Sequence, residues 1–239
     1  MKRFFSALVL FLAIGLNGAA LGNDIYITQV GNSLDLYIIQ DGQNNVIGTS
    51  SQAVILGSQG STSADSMTFS ITQTGNTNTI AAQIQGASYT GTWNVTGNSN
   101  AIDLKCDSLA AGNCATVTLN ITASGDSQSY DIDIGETADA GSSTVSFNVA
   151  GNGHVFDTDI DGVSSALAVT VTNNSSVVSG GNTFDIDMLG NGDVAGHTQN
   201  LTVHGRGNTV KVDQRGNYDN HVTLSTTGDS GDINIAQDD

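Results

Sequence analysis

One template recurs along almost the whole chain and constrains its fold more than any other feature. In the stretch 69–86, FSITQTGNTNTIAAQIQG, it reads apolar-x-apolar-x-Gln-x-Gly-x-x-Asn-x-apolar-x-x-x-apolar-x-Gly, carried by Phe69, Ile71, Gln73, Gly75, Asn78, Ile80, Ile84 and Gly86. Two alternating runs flank a Gly/Asn corner, and period-two alternation belongs to strands that send successive side chains to opposite faces. The unit is therefore strand, arc, strand.

With position zero at Gln73, the template slides along the chain. A first coil is expected at Ile25, Ile27, Gln29, Gly31, Leu34, Leu36, Gln40 and Gly42, and a degenerate one near Ser51, with apolar Ala53, Val54, Ile55 and Leu56 and a turn at Gln59-Gly60. After the reference coil come Val95, Gly97, Asn100, Ile102 and Cys106, then Ala123, Gly125, Gln128, Tyr130 and Ile134, then Val149, Gly151, His154, Phe156, Ile160 and Gly162. Leu167, Val169 and Val171 begin a coil whose arc swells before Asn182, Phe184, Met188 and Gly190. Val203, Gly205, Asn208, Val210, Gln214 and Gly216 restore the template, and Val222, Leu224, Thr226, Gly228, Ile233 and Gln237 close it.

Repeats of this length, each too small to bury a core alone, predict a solenoid in which neighbouring coils supply the burial. The fold class is all-β, a β-solenoid of about eight to nine coils of about 22–28 residues each. At ~4.8 Å per rung such a rod is roughly 43 Å long and ends in strand edges that template another copy. Glycine fits the tight arcs, and stacked Asn or Gln amides satisfy one another from rung to rung. The expected assembly ladder is Gln29, Gly31, Gln40, Gln73, Gly75, Asn78, Gly97, Asn100, Gly205, Asn208, Gln214, Gly216 and Gln237.

Residues 1–22 read as a secretory signal peptide: Lys2 and Arg3 precede an apolar run from Phe4 to Leu16, followed by small residues. The run is too short for a membrane span, which leaves 23–239 as one exported repeat domain. Removing Lys2 and Arg3 takes the formal net charge from −17 to −19, which disfavours nucleic acid and anionic membrane as partners. Cys106 and Cys114, with seven residues between them, are expected to close a small loop by a disulfide, the alternative being two exposed thiols.

Register places Asp131 with Asp133, Asp157 with Asp159, and Asp185 with Asp187 on equivalent outward positions of successive coils. Stacked carboxylates either raise their pKa values or recruit divalent cations, so a Ca²⁺-responsive ladder stands beside a plain solvated acidic face. Gly190-Asn191-Gly192-Asp193 is an isolated echo of calcium-binding nonapeptide repeats. On the first strands the outward positions are small and polar, including Thr28, Ser70, Thr72, Asn94, Asn120, Thr122, Asn148 and Thr202. His154, His197, His204 and His221 lack metal-ligand spacing, and no nucleophile or acid-base pair emerges, so an enzyme is not expected.

In this register the chain resembles the curlin repeat of curli, the amyloid fibre of bacterial biofilms, whose pattern is Gln-x-Gly-x-x-Asn-x-Ala-x-x-x-Gln. Gln29-x-Gly31 with Gln40, Gln73-x-Gly75-x-x-Asn78, and Gln214-x-Gly216 carry the resemblance most closely. It implies a subunit exported by way of the periplasm through an outer-membrane pore, nucleated at the cell surface and polymerised with itself into extracellular β-solenoid fibres that serve as matrix scaffold or adhesin. The runner-up is a monomeric solenoid whose flat face binds ice, glycan or, with Ca²⁺, a surface.

Overall fold

The computed structural model describes residues 24–30, 34–42, 44–49, 54–57, 66–86, 88–106, 114, 116–135, 141–162, 164–172, 181–189, 196–216, 220–228 and 231–238. The expected leader lies outside these residues, as do Gly31 and the Gly190-Asn191-Gly192-Asp193 echo. No helix among the described residues is long and apolar enough to cross a membrane.

The chain is an all-β solenoid of two parallel sheets facing each other across one core. From the N-terminal to the C-terminal end, the eight-stranded sheet runs Asp35–Asp41, Met67–Thr74, Ser88–Thr96, Thr116–Ser124, Ser142–Ala150, Ala166–Thr172, Thr198–His204 and His221–Thr227. The eleven-stranded sheet runs Asp24–Ile25, Val46–Ile47, Thr79–Gln85, Ala101–Cys106, Ser129–Ile134, Val155–Asp161, Thr183–Leu189, Thr209–Arg215 and Asp232–Asp238, with Thr28–Val30 and Val54–Gly57 filling its first rungs. Every pairing is parallel, and each strand is bonded to its equivalents in the coils below and above. Six turns between Met67 and Arg215 are regular in their strand pairing, flanked by an irregular N-terminal turn and an exposed C-terminal one.

Alternation decides which side chains enter the core. Ser88–Thr96 alternates strictly between exposed and buried, with Tyr89, Trp93 and Val95 inward and Thr90, Thr92 and Asn94 outward. Tyr130, Phe156 and Phe184 share one register position on successive rungs. Their rings stack at 4.7 Å between centroids on each side of Phe156, while Phe147 meets Phe156 edge-on at 5.3 Å. Offset-stacked and edge-to-face rings add ~0.5–1.5 kcal/mol per pair beyond the area they bury. Trp93 Nε1 donates to the Phe69 carbonyl at 3.1 Å, so the largest core side chain leaves no polar atom unsatisfied.

The corners explain the glycine column. Gly75, Gly97, Gly125 and Gly151 have φ of +151°, +136°, +128° and +135°, and a Cβ at each would fall on the carbonyl oxygen of the corner glycine one rung below. Glycine is required twice over, for the positive φ and for the close backbone approach.

The N-terminal turn departs from the expected register. Leu36, Ile38 and Gln40 pair with Phe69, Ile71 and Gln73, so Gln40 occupies position zero, Gly42 the corner and Asn45 the Asn position. Gln29 pairs instead with Leu56 in the other sheet, and Thr28 with Ile55. Val54–Gly57, read from the sequence as a degenerate coil, pairs with Ala82–Gln85 and continues the second strand begun at Val46–Ile47. The two Gln-x-Gly steps are locally alike, and it is the pairing of Leu36 and Ile38 with Phe69 and Ile71 of the reference coil that selects the second.

Candidate functional site

The Asn corner forms a file of polar side chains through the core. Asn78 Oδ1 accepts the backbone N–H of Asn45 at 3.2 Å, and Asn100 Oδ1 that of Asn78 at 2.9 Å. Asn182 Oδ1 accepts from the His154 backbone and Asn208 Oδ1 from the Asn182 backbone, both at 3.0 Å. Each bond runs from the backbone of one coil to the side chain of the next, so the file has a direction. Gly231, adjacent to Asp232 and opposite Asn208, ends it without a side chain.

This corrects the expectation of continuous side-chain amide stacking. Gln73 Nε2 donates to Gln40 Oε1 at 2.7 Å, and Gln237 Nε2 to Gln214 Oε1 at 3.0 Å, but the pairs lie at opposite ends of the rod and in different sheets. Each pair ends at an apolar neighbour in its own sheet, since Gln73 also pairs with Val95 and Gln214 with Met188. A buried amide is costly unless bonded, and besides the two Gln pairs Asn182 Nδ2 donates to Asn208 Oδ1 at 3.0 Å, whereas Gln199 is buried between Leu167 and Val222 with no like neighbour. Gly205 is a corner glycine whose carbonyl oxygen Gly228 leaves room for, and Gly216 donates its N–H to the Asp238 carbonyl at 3.2 Å. Gln29 belongs to the other sheet, and Gly31 lies outside the described residues.

His154 and His197 are members of such files that the search for metal ligands passes over. Both are buried; His154 Nδ1 faces the Gln128 backbone N–H at 3.4 Å, and His197 Nδ1 accepts that of Ser165 at 3.2 Å. Imidazole Nδ1 here takes the place of Asn Oδ1, and burial pushes both histidines below their ordinary pKa and keeps them neutral. Position supplies the signal, because His154 stands where the template has Asn.

The acidic residues align as the sequence register predicts. Asp131, Asp157 and Asp185 pair in one column and Asp133, Asp159 and Asp187 in the next, on the outer face of the eleven-stranded sheet. The structure extends both columns, to Asp103 and Lys211 in the first and to Lys105 and Asp213 in the second. Lys105 Nζ donates to Asp133 Oδ2 at 2.8 Å, and Lys211 Nζ to Asp185 Oδ1 at 2.6 Å. Partial burial, then the neighbouring Asp133 and Asp187, pushes Asp159 up to about 6, and burial with neighbouring carboxylates also raises Asp131 and Asp157. The carboxylates run in two files, and among the described residues no group of three or more His, Cys, Asp or Glu is placed to hold a metal ion.

Cys106 and Cys114 are joined, with 6.0 Å between their Cα atoms, and close the loop after the Ala101–Cys106 strand. Both are buried, and the alternative of two exposed thiols is excluded.

The two ends of the rod differ. In the N-terminal turn Ile25, Leu34, Leu36 and Ile38 are buried. In the last coil Ile233 is 51 % and Ile235 40 % exposed, although they pair in register with Val210 and Val212, each 1 % exposed. Asn208, Val210, Thr226, Gly228 and Ile233 line an open groove there. Set against models of known protein families, characterised protein sequences and solved structures, the chain matches none.

Proposed function

We propose that this chain is an exported structural subunit that joins copy to copy through its open last coil, building curli-like extracellular fibres that serve as matrix scaffold or adhesin. One observation carries the reading: Ile233 and Ile235 project at core positions of the solenoid while remaining half-exposed. Apolar side chains at core positions and the unpaired edges of His221–Thr227 and Asp232–Asp238 are what a further coil would cover.

The occupant is a second copy, offering its N-terminal edge strands Asp24–Ile25, Thr28–Val30 and Asp35–Asp41. Parallel strand addition continues the hydrogen bonding of both sheets and covers the exposed half of the two isoleucines, each contributing roughly half of the ~1.5–3 kcal/mol of a full burial. The leader-like 1–22 segment and the curlin-like Gln-x-Gly-x-x-Asn steps support export and polymerisation. The function resides in stacking, so no catalytic group is assigned.

The test is electron microscopy of the purified chain beside an Ile233→Lys/Ile235→Lys variant. Both positions are exposed, so the variant keeps its fold. The wild type is expected to grow unbranched rods many chains long and the variant to remain at single-chain length. A wild type that stays monomeric at high concentration contradicts the reading.

A further inference from the structure

The six strands of the eight-stranded sheet from Met67 to His204 contain no Asp, Glu, Lys or Arg. In a chain of net charge −17 this face is the neutral one, whereas the opposite sheet carries the acidic columns. Down its middle runs one register column, Thr72, Asn94, Thr122, Asn148, Thr170 and Thr202. Of these, Asn94, Thr122, Asn148 and Thr170 are exposed.

We propose that this face pairs two copies of the chain side by side, a lateral contact distinct from end-to-end growth. Charge selects the face. Side by side, the acidic sheet face of one copy would set its carboxylate columns against those of the other, whereas the neutral face meets its copy without that opposition. Face-to-face pairing also carries the acidic columns to the outside. With sheets ~10 Å apart, the columns of the two copies lie about 30 Å from each other, several times the ~8 Å screening length at physiological salt.

Size agrees. Six strands at ~4.8 Å by seven residues at ~3.3 Å make a flat area of roughly 660 Å² per copy, or about 1,300 Å² in all, within the ~1,200–2,000 Å² of stable interfaces. Ser, Thr, Asn and Ala side chains are short enough for close sheet-to-sheet packing. Their hydroxyls and amides both donate and accept, so a two-fold arrangement lets each column bond its own copy. The centre of the patch falls at Thr122 and Asn148.

Sedimentation of the end-blocked Ile233→Lys/Ile235→Lys chain separates this contact from fibre growth. It is expected to run as a dimer. Adding Thr122→Lys and Asn148→Lys, both at exposed positions, is expected to weaken dimerisation at least 100-fold with the far-ultraviolet circular dichroism unchanged. Thr122→Cys in the end-blocked chain is expected to form an intermolecular disulfide under oxidising conditions. An end-blocked chain that stays monomeric overturns the proposal, as does a dimer that survives both lysines. A monomer that instead adsorbs to ice or to an uncharged polysaccharide through this face overturns it too. Failure of end-to-end growth leaves the dimer in place, so the two readings fail separately.

Discussion

Val210 and Val212 in the sixth regular coil and Ile233 and Ile235 in the last occupy the same two register positions, yet the valines are sealed and the larger isoleucines half open. Backbone conformation, sheet and facing are alike in the two coils. The difference is only whether another coil lies on top. A β-solenoid coil does not own its core: each side chain is buried by its neighbour, and the same residue is core or surface according to whether that neighbour is present.

The comparison breaks most severely at the corners. Gly97→Ala would drive a Cβ into the Gly75 carbonyl oxygen at positive φ. Relief requires the coils to part, so a loss of more than ~4 kcal/mol is expected, read as a collapsed urea midpoint. Next comes the register pair itself. Val212→Ala should cost ~2–3 kcal/mol through transfer and cavity terms, whereas Ile235→Ala should stay within ~0.5 kcal/mol in the unassembled chain. Equal costs in urea titrations of the two variants would mean that the last coil is covered within a single chain.

The smallest effect concerns the outward columns, where Asp159 lies in a file that passes through Asp187 and Asp213 and ends at Ala236. Its folded carboxyl is raised to about 6, against ~3.9 unfolded. The folded chain therefore binds the extra proton between those values. The associated stability is complete below the unfolded value and lost as pH rises through about 6. Asp159→Asn should raise the melting temperature at pH 7–8 by no more than ~2–4 °C, as expected for a solvent-screened group, and give no gain near pH 4. His154 and His197 act in the opposite sense: their lowered pKa gives stability that is present above the ordinary histidine value and lost as pH falls below it. Melts of wild type and variant across pH 4–8 separate the two contributions.

Most of the coil register was legible in the sequence because burial alternates strictly and the corner glycine has only one stereochemical solution. From Phe69 onward the described strands fall where the template expects them, and so does the acidic alignment of Asp131, Asp157 and Asp185. The N-terminal turn was not legible. Gln29-x-Gly31 and Gln40-x-Gly42 satisfy the same local pattern, and only long-range pairing of Leu36 with Phe69 chooses between them. Nor did the residue types reveal that His154 and His197 serve as acceptors, since that role depends on a backbone N–H contributed by the coil before. The openness of the last coil is likewise invisible to a template, which scores Ile233 as it scores Val210.

The most direct measurement is amide hydrogen exchange of Asp232–Asp238 before and after incubation under assembling conditions, with Thr209–Arg215 as the internal reference. If a further copy completes the core, exchange in Asp232–Asp238 slows from fast in the dispersed chain to the protection of Thr209–Arg215. Exchange that stays fast in the assembled material would show that the last coil remains uncovered and that the copies join elsewhere.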